Sequence, residues 1–199
     1  MLSDSILEPM IRSLERSRPG RIALRTVRRW RSHVDPSHPR VLCVGYVKTG
    51  TTTFGQAMRQ LGYSHYGYDP DLERCRKRGD LQTCLRWASH FNSLDDLPWS
   101  DPKFIEAYRQ EFPNSYYVLL VRQEDEWLTS YFRFFGKHCS QDQALEKLRG
   151  HQGQTRRILR NEPHVLEMNI CAGDGYEKLC PFLGLPIPAA PFPWIIPRS

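Results

Sequence analysis

The chain has 199 residues, 40% of them hydrophobic and 25% charged, with a formal net charge of +6. That length suits one main domain with a proper core. No apolar run approaches the roughly 18 residues that cross a bilayer, and no secretory leader is visible, so a cytoplasmic protein is expected. The charge resembles a nucleic-acid signal until it is located: residues 1–40 hold nine arginines against four acids, and the remainder is close to neutral. No nucleic-acid partner is expected for the main domain.

In chain order, Ile6, Leu7, Met10, Ile11 and Leu14 have the spacing of an amphipathic helix over residues 3–16, with Ser5-x-x-Glu8 as a capping box. Pro19-Gly20 should break it. A second, arginine-rich helix is expected over 21–34, with Ile22, Leu24, Val27 and Trp30 as its apolar members. This arm, residues 1–39, either packs on the domain with its arginines solvated or makes weak contact with an anionic membrane surface. Pro36 and Pro39 form a linker, and the domain proper spans residues 40–199.

Val41 to Val44 reads as a buried strand entering a glycine-flanked turn. Phe54, Met58 and Leu61 then mark one face of a helix that Gly62 ends. Residues 63–68 form a short extended piece, 71–91 a basic helix with Asp80 as an N-cap candidate, and 95–99 a loop. Asp101 caps a helix with Pro102 in its first turn. Residues 115–121 are a strongly apolar strand ending at Arg122, and Glu124 to Phe135 is helical. A helix over 141–160 should be interrupted by Gly150 and Gly153. His164 to Met168 forms a strand, Tyr176 to Leu183 a final helix, and a proline-rich tail closes the chain. Strands alternating with helices predict an α/β fold, a parallel sheet flanked by helices, with ligands beyond the carboxyl ends of the strands. The six cysteines show no C-x-x-C pair; they are expected as reduced thiols, with a Cys75–Cys84 pair as the alternative in an oxidising compartment.

The stretch after the first strand carries the chemistry. A glycine loop leading into a helix N-terminus cradles anions, because free backbone N–H groups and the helix dipole converge there. A nucleoside-triphosphate loop reads G-x-x-x-x-G-K-[ST], with the hydroxyl on Mg²⁺. Here Gly45 and Gly50 keep the spacing, but Thr51 stands in the lysine position and the loop lysine is Lys48. The second apolar strand ends in Arg122, where a Mg²⁺-using nucleotidase often has an aspartate. An anion handled without metal is expected, with Lys48 neutralising charge directly.

At this point the sequence resembles the sulfotransferases that use 3′-phosphoadenosine 5′-phosphosulfate (PAPS). Lys48-Thr49-Gly50-Thr51-Thr52 matches their K-[S/T/A]-G-T-T loop, and Arg122 and Ser130 have the eight-residue spacing of their 3′-phosphate pair. Asp96-Leu97-Pro98-Trp99 and the segment Gly175 to Pro186 are similar to a short branch of that superfamily. The resemblance covers roughly residues 40–193. It implies a P-loop NTPase-like sulfotransferase fold and PAPS as donor, with PAP as product. Lys48, Thr49, Gly50, Thr51, Thr52 and Thr53 would hold the phosphosulfate end, and Arg122 and Ser130 the 3′-phosphate. Local structural roles compete: a helix cap for the threonines, and a salt bridge to an acid such as Glu124 for Arg122.

Transfer to a hydroxyl or amine also needs a base. The candidates are His65, Asp69, His90, Asp95 and Asp96. Asp96 is preferred because it matches the Asp-x-Pro segment, although a turn-capping aspartate would have the same sequence. Thr53 stands where many relatives carry the aromatic residue that packs on adenine, leaving Trp99 as a candidate. The relatives' R-K-G-x-x-G loop is absent, with Arg156 or Arg157 as substitutes. The implied acceptor is a small molecule or a glycan. Two other readings stay open: a P-loop nucleotide kinase or nucleotidase, and a non-catalytic nucleotide-binding relative.

Overall fold

The computed structural model describes residues 17–31 and 34–194, and the chain divides into two compact units, residues 1–34 and 35–199. The helix expected over 3–16 lies outside the described residues. In the first unit, α1 (Arg18–Arg31) begins three residues earlier than the sequence suggested. Pro19 falls in the first turn, where its missing N–H costs nothing, and the Ser17 hydroxyl accepts from Gly20 N at 3.1 Å. The Pro-Gly pair therefore opens this helix.

The second unit is a five-stranded parallel sheet in the order β2-β3-β1-β4-β5. Its strands are β1 (Val41–Cys43), β2 (His65–Tyr66), β3 (Ser93–Leu94), β4 (Tyr116–Leu120) and β5 (Val165–Met168). In register, Val41 pairs with Ser93 on one side and Tyr116 on the other, and Tyr117 pairs with Val165. Side chains alternate along a strand, so β1 and β4 feed two cores. Leu42, Val44, Tyr117 and Leu119 pack against α3 (Pro70–Lys77), α4 (Leu81–Ala88) and α5 (Pro102–Glu111). Val41, Cys43, Val118 and Leu120 pack against α2 (Thr51–Gln60) and α8 (Tyr176–Leu183). A third cluster joins α6 (Glu124–Phe135) to α7 (Gln141–Ile158) through Trp127, Tyr131, Ala144 and Leu148.

Three expectations need correction. The helix over 71–91 is two helices, because the chain turns back at Gly79 with φ +82°, and Asp80 then caps α4 through Thr83 N. No strand was expected at Ser93–Leu94, yet it is β3, held between β1 and β2. Conversely, α7 runs unbroken through Gly150 and Gly153, with a Ser140–Gln143 capping box at its start. Each glycine costs about 1 kcal/mol in a helix, which the buried face of Ala144, Leu148 and Thr155 offsets. All six cysteines are free thiols; burial pushes Cys84 up to about 12. Among the described residues no helix is long and apolar enough to cross a membrane.

Candidate functional site

Hydrogen bonding of β1 to β4 continues one residue past the strand, from Val44 N to Val118 O at 2.9 Å. The chain then folds into a tight turn in which the Thr49 hydroxyl donates to Tyr46 O at 2.6 Å. Gly50 caps α2 with φ +107°, a left-handed conformation that glycine adopts without a Cβ penalty. No side chain caps this N-terminus, and no acid lies in its first turn. The first N–H groups of α2 are thus left for an external acceptor, with the positive end of the helix dipole behind them.

The threonines divide by environment. Thr52 is exposed; Thr51 and Thr53 are buried, and Thr49 is wholly so. The Thr49 hydroxyl and its backbone N–H both donate to Tyr46 O, at 2.6 and 3.3 Å, so this residue closes the turn. The Thr51 hydroxyl faces Asp96 Oδ2 at 3.5 Å. Lys48 stands on the crest of the turn with φ +69°. Burial lowers its pKa, with Arg122 adding to the effect and Asp96 opposing it.

Arg122 leaves the end of β4 and donates from Nη1 to Lys48 O at 3.3 Å. Its Nε is buried without a hydrogen bond, and Glu126 Oε2 is its ion-pair neighbour at 3.5 Å. The acid beside it is therefore Glu126, while Glu124 pairs with Arg149. Ser130 is part-buried on α6, two turns beyond Arg122.

Asp96 follows β3 at the same edge of the sheet. Its backbone has φ +62°, and its Oδ1 accepts from Leu97 N at 2.7 Å. Burial, reinforced by neighbouring Asp95, raises its carboxyl to about 6. Among the described residues only Lys48, Asp96 and Asn114 combine a side chain with positive φ. Two of those three lie beside the uncapped helix end, Lys48 two residues before the Gly50 cap and Asp96 against the Thr51 hydroxyl, and left-handed non-glycine residues persist where surrounding structure holds them, often at functional sites.

The other base candidates have structural partners. Asp69 caps α3 through Asp71 N and Leu72 N and accepts from Tyr66 Oη at 2.6 Å. Asp95 is buried 3.4 Å from His65 Nε2, and His65 Nδ1 meets Ser93 Oγ at 2.9 Å. This Ser93–His65–Asp95 chain was not read from the sequence, because His65 is 28 residues from Ser93 and meets it only through the β2–β3 pairing. His90 packs edge-on against Trp87. Trp99 is 0% exposed and donates from Nε1 to Gly67 O, so it is a core residue and cannot stack on adenine. Arg156 pairs with Glu167. Among the described residues no cluster of three or more His, Cys, Asp or Glu could hold a metal.

A parallel sheet whose central strand runs through a glycine turn into an uncapped helix is a P-loop NTPase-like α/β fold. A family model described as a sulfotransferase domain matches residues 40–158 and, in a second overlapping stretch, residues 131–198. The chain belongs to this sulfotransferase domain family. No curated protein matches it. Among solved structures it is similar to a shikimate kinase from Bacteroides thetaiotaomicron, with TM-score 0.46 and 15% identity over 66% of this chain and 86% of that one. It is also similar to a gluconokinase from Sinorhizobium meliloti 1021, with TM-score 0.46 and 14% identity over 73% of this chain and 90% of that one.

Proposed function

We propose that the protein transfers a sulfuryl group from PAPS to an acceptor hydroxyl or amine. The observation that carries this reading is the placement of a loop cation, Lys48, and a carboxylate raised to about 6, Asp96, beside the uncapped N-terminus of α2. The buried Nε of Arg122, which has an ion-pair contact with Glu126 but no hydrogen bond, supports an anionic guest, since a buried donor is costly until something accepts from it. PAPS supplies an activated sulfuryl group, whose bond to the 5′-phosphate oxygen breaks as the bond to the acceptor forms.

Gly50, Thr51, Thr52 and Thr53 would donate backbone N–H groups to the 5′-phosphate, with Thr49 shaping the turn through its bonds to Tyr46 O and Thr52 adding its exposed hydroxyl. Lys48 would stabilise the negative charge that develops on the departing phosphate oxygen. Arg122, with Ser130, would hold the 3′-phosphate through its forked guanidinium. Asp96 would take the acceptor proton on a carboxylate oxygen, a role suited to a group whose pKa lies near neutral. Incubation with radiolabelled PAPS in EDTA, over a panel of small alcohols, phenols, amines and glycans, should label an acceptor. Binding of PAP with no label in any acceptor would instead indicate a non-catalytic relative.

Asp96 also carries a pH-dependent stability signature. Its folded-state pKa of about 6 lies above the ordinary aspartate value of 3.8. Below the lower value both states are protonated and Asp96 is neutral in effect. Between the two, the unfolded chain releases its proton first, so folding loses ground as pH rises. Above 6 the loss is complete, on the order of 3 kcal/mol at its upper limit. Asp96→Asn should therefore raise the melting temperature at pH 8 and have little effect below pH 4, while abolishing transfer. In the wild type, transfer should rise through pH 6 as Asp96 ionises.

A further inference from the structure

We propose that Phe134 is a positioning residue: its ring holds the Lys48 ammonium apart from the Asp96 carboxylate, so that the two remain a separate cation and base. The inference rests on the roles given to Lys48 and Asp96 above. Lys48 Nζ sits 4.2 Å from the centroid of the Phe134 ring, within the range of a cation–π contact. Phe134 lies in the last turn of α6 and is 67% exposed. Its other ring contact is the edge of Phe135 at 4.8 Å. So large an apolar side chain adds little to the core from this position, and its contact with the loop lysine is the one polar task it performs.

Both backbones in the site are fixed. Lys48 O accepts from Arg122, and the preceding carbonyl, Val47 O, accepts from Trp127 Nε1 at 2.8 Å. Asp96 O accepts from Ser100 N at 2.8 Å, and one lone pair on each carboxylate oxygen already accepts, from Leu97 N and from the Thr51 hydroxyl. What remains free is the four-carbon stem of the lysine. Each charge acts on the other, yet no ion pair joins them. Closure of that pair would occupy the carboxylate lone pairs needed for the acceptor proton, and would draw the ammonium away from the phosphate. The aromatic face on α6 gives the ammonium a seat that leaves both groups available. Other charged or titratable groups also act here: Asp95, Tyr68 and Cys43 interact with Asp96, and Arg122 with Lys48. Among these groups Lys48 is the cation recorded as lowering Asp96.

Nuclear magnetic resonance of the full chain, without donor or acceptor, tests this directly. In the wild type the Lys48 ε-methylene protons should be shifted upfield by the Phe134 ring, and the Asp96 carboxyl carbon should titrate near pH 6. Phe134→Ala should abolish the upfield shift and lower the Asp96 midpoint by roughly 1 unit, as a closing cation does. Phe134→Trp should restore both signals. An unchanged lysine shift and Asp96 midpoint in Phe134→Ala would overturn the proposal, as would a wild-type midpoint near the ordinary carboxylate value. These readouts need no catalysis. A protein that transfers no sulfate can satisfy them, and an active one can fail them, so the two readings stand or fall separately.

Discussion

Lys48→Ala should lower the rate of sulfuryl transfer by about 10²–10³-fold while leaving the fold intact, the loss typical when one preorganised donor is removed from a developing oxyanion. The side chain is only part-buried, and its ammonium rests on an exposed ring. Its backbone is what the fold uses, through Lys48 O and the tight turn. Lys48→Gly separates the two contributions. Glycine relieves the left-handed φ of +69°, so this variant should be as inactive as alanine but roughly 1 kcal/mol more stable than it. Steady-state transfer assays beside urea unfolding would show the split. Equal activity in Lys48→Ala and wild type would remove the lysine from the mechanism.

Trp127→Ala should be the most damaging single change to stability near the site, costing about 3–5 kcal/mol. The indole is 0% exposed, stacks on Tyr131 with centroids 4.6 Å apart, and lies in the cluster that joins α6 to α7. Its Nε1 also donates to Val47 O, one residue before Lys48. The same side chain therefore fills a core and pins the loop. Trp127→Phe keeps most of the packing and leaves that carbonyl without its donor, an expected cost of about 1–3 kcal/mol. Urea denaturation measures both. PAP affinity should fall in Trp127→Phe beyond what stability explains, because the loop loses one of its three anchors. If Trp127→Phe binds PAP as the wild type does, the turn is held by Arg122 and the Thr49–Tyr46 bond alone.

The parts of the fold legible in the sequence were those with a strong local signal. Val41 to Cys43 and Tyr116 to Leu120 are buried on both faces and so read as continuous apolar runs. Asp101 and Pro102 announced α5 through cap chemistry, and the structure shows Lys103 N and Phe104 N bonded to that aspartate. β3 was not legible. It is two residues long, carries a serine, and exists because β1 and β2 flank it. The break at Gly79 was missed for the opposite reason: the helical pattern on either side is strong enough to hide a single left-handed residue.

For the candidate site, the loop spacing drew attention to Lys48 and Gly50, the strand end to Arg122, and the family resemblance to Asp96, all as candidates that the sequence offered. It could not show how their side chains are shared out. Thr49 turned inward to Tyr46, and Thr51 faces Asp96; both outcomes depend on the path of the loop across the sheet edge. Phe134 is 86 residues from Lys48, and nothing in either neighbourhood signals the other. Trp99 had the residue type for adenine stacking, yet its surroundings of Tyr66 and Phe104 make it part of the core.

The most direct test of the central claim is the melting temperature of the wild-type protein with PAP in EDTA, compared with ATP and Mg²⁺. A metal-independent phosphosulfate cradle should bind PAP. At one hundred times its dissociation constant the ligand should stabilise the fold by about 2.7 kcal/mol, while ATP with Mg²⁺ leaves it unmoved. Stabilisation by ATP with Mg²⁺ alone, with no response to PAP, would contradict the assignment and make the Gly45–Gly50 turn a nucleoside-triphosphate loop.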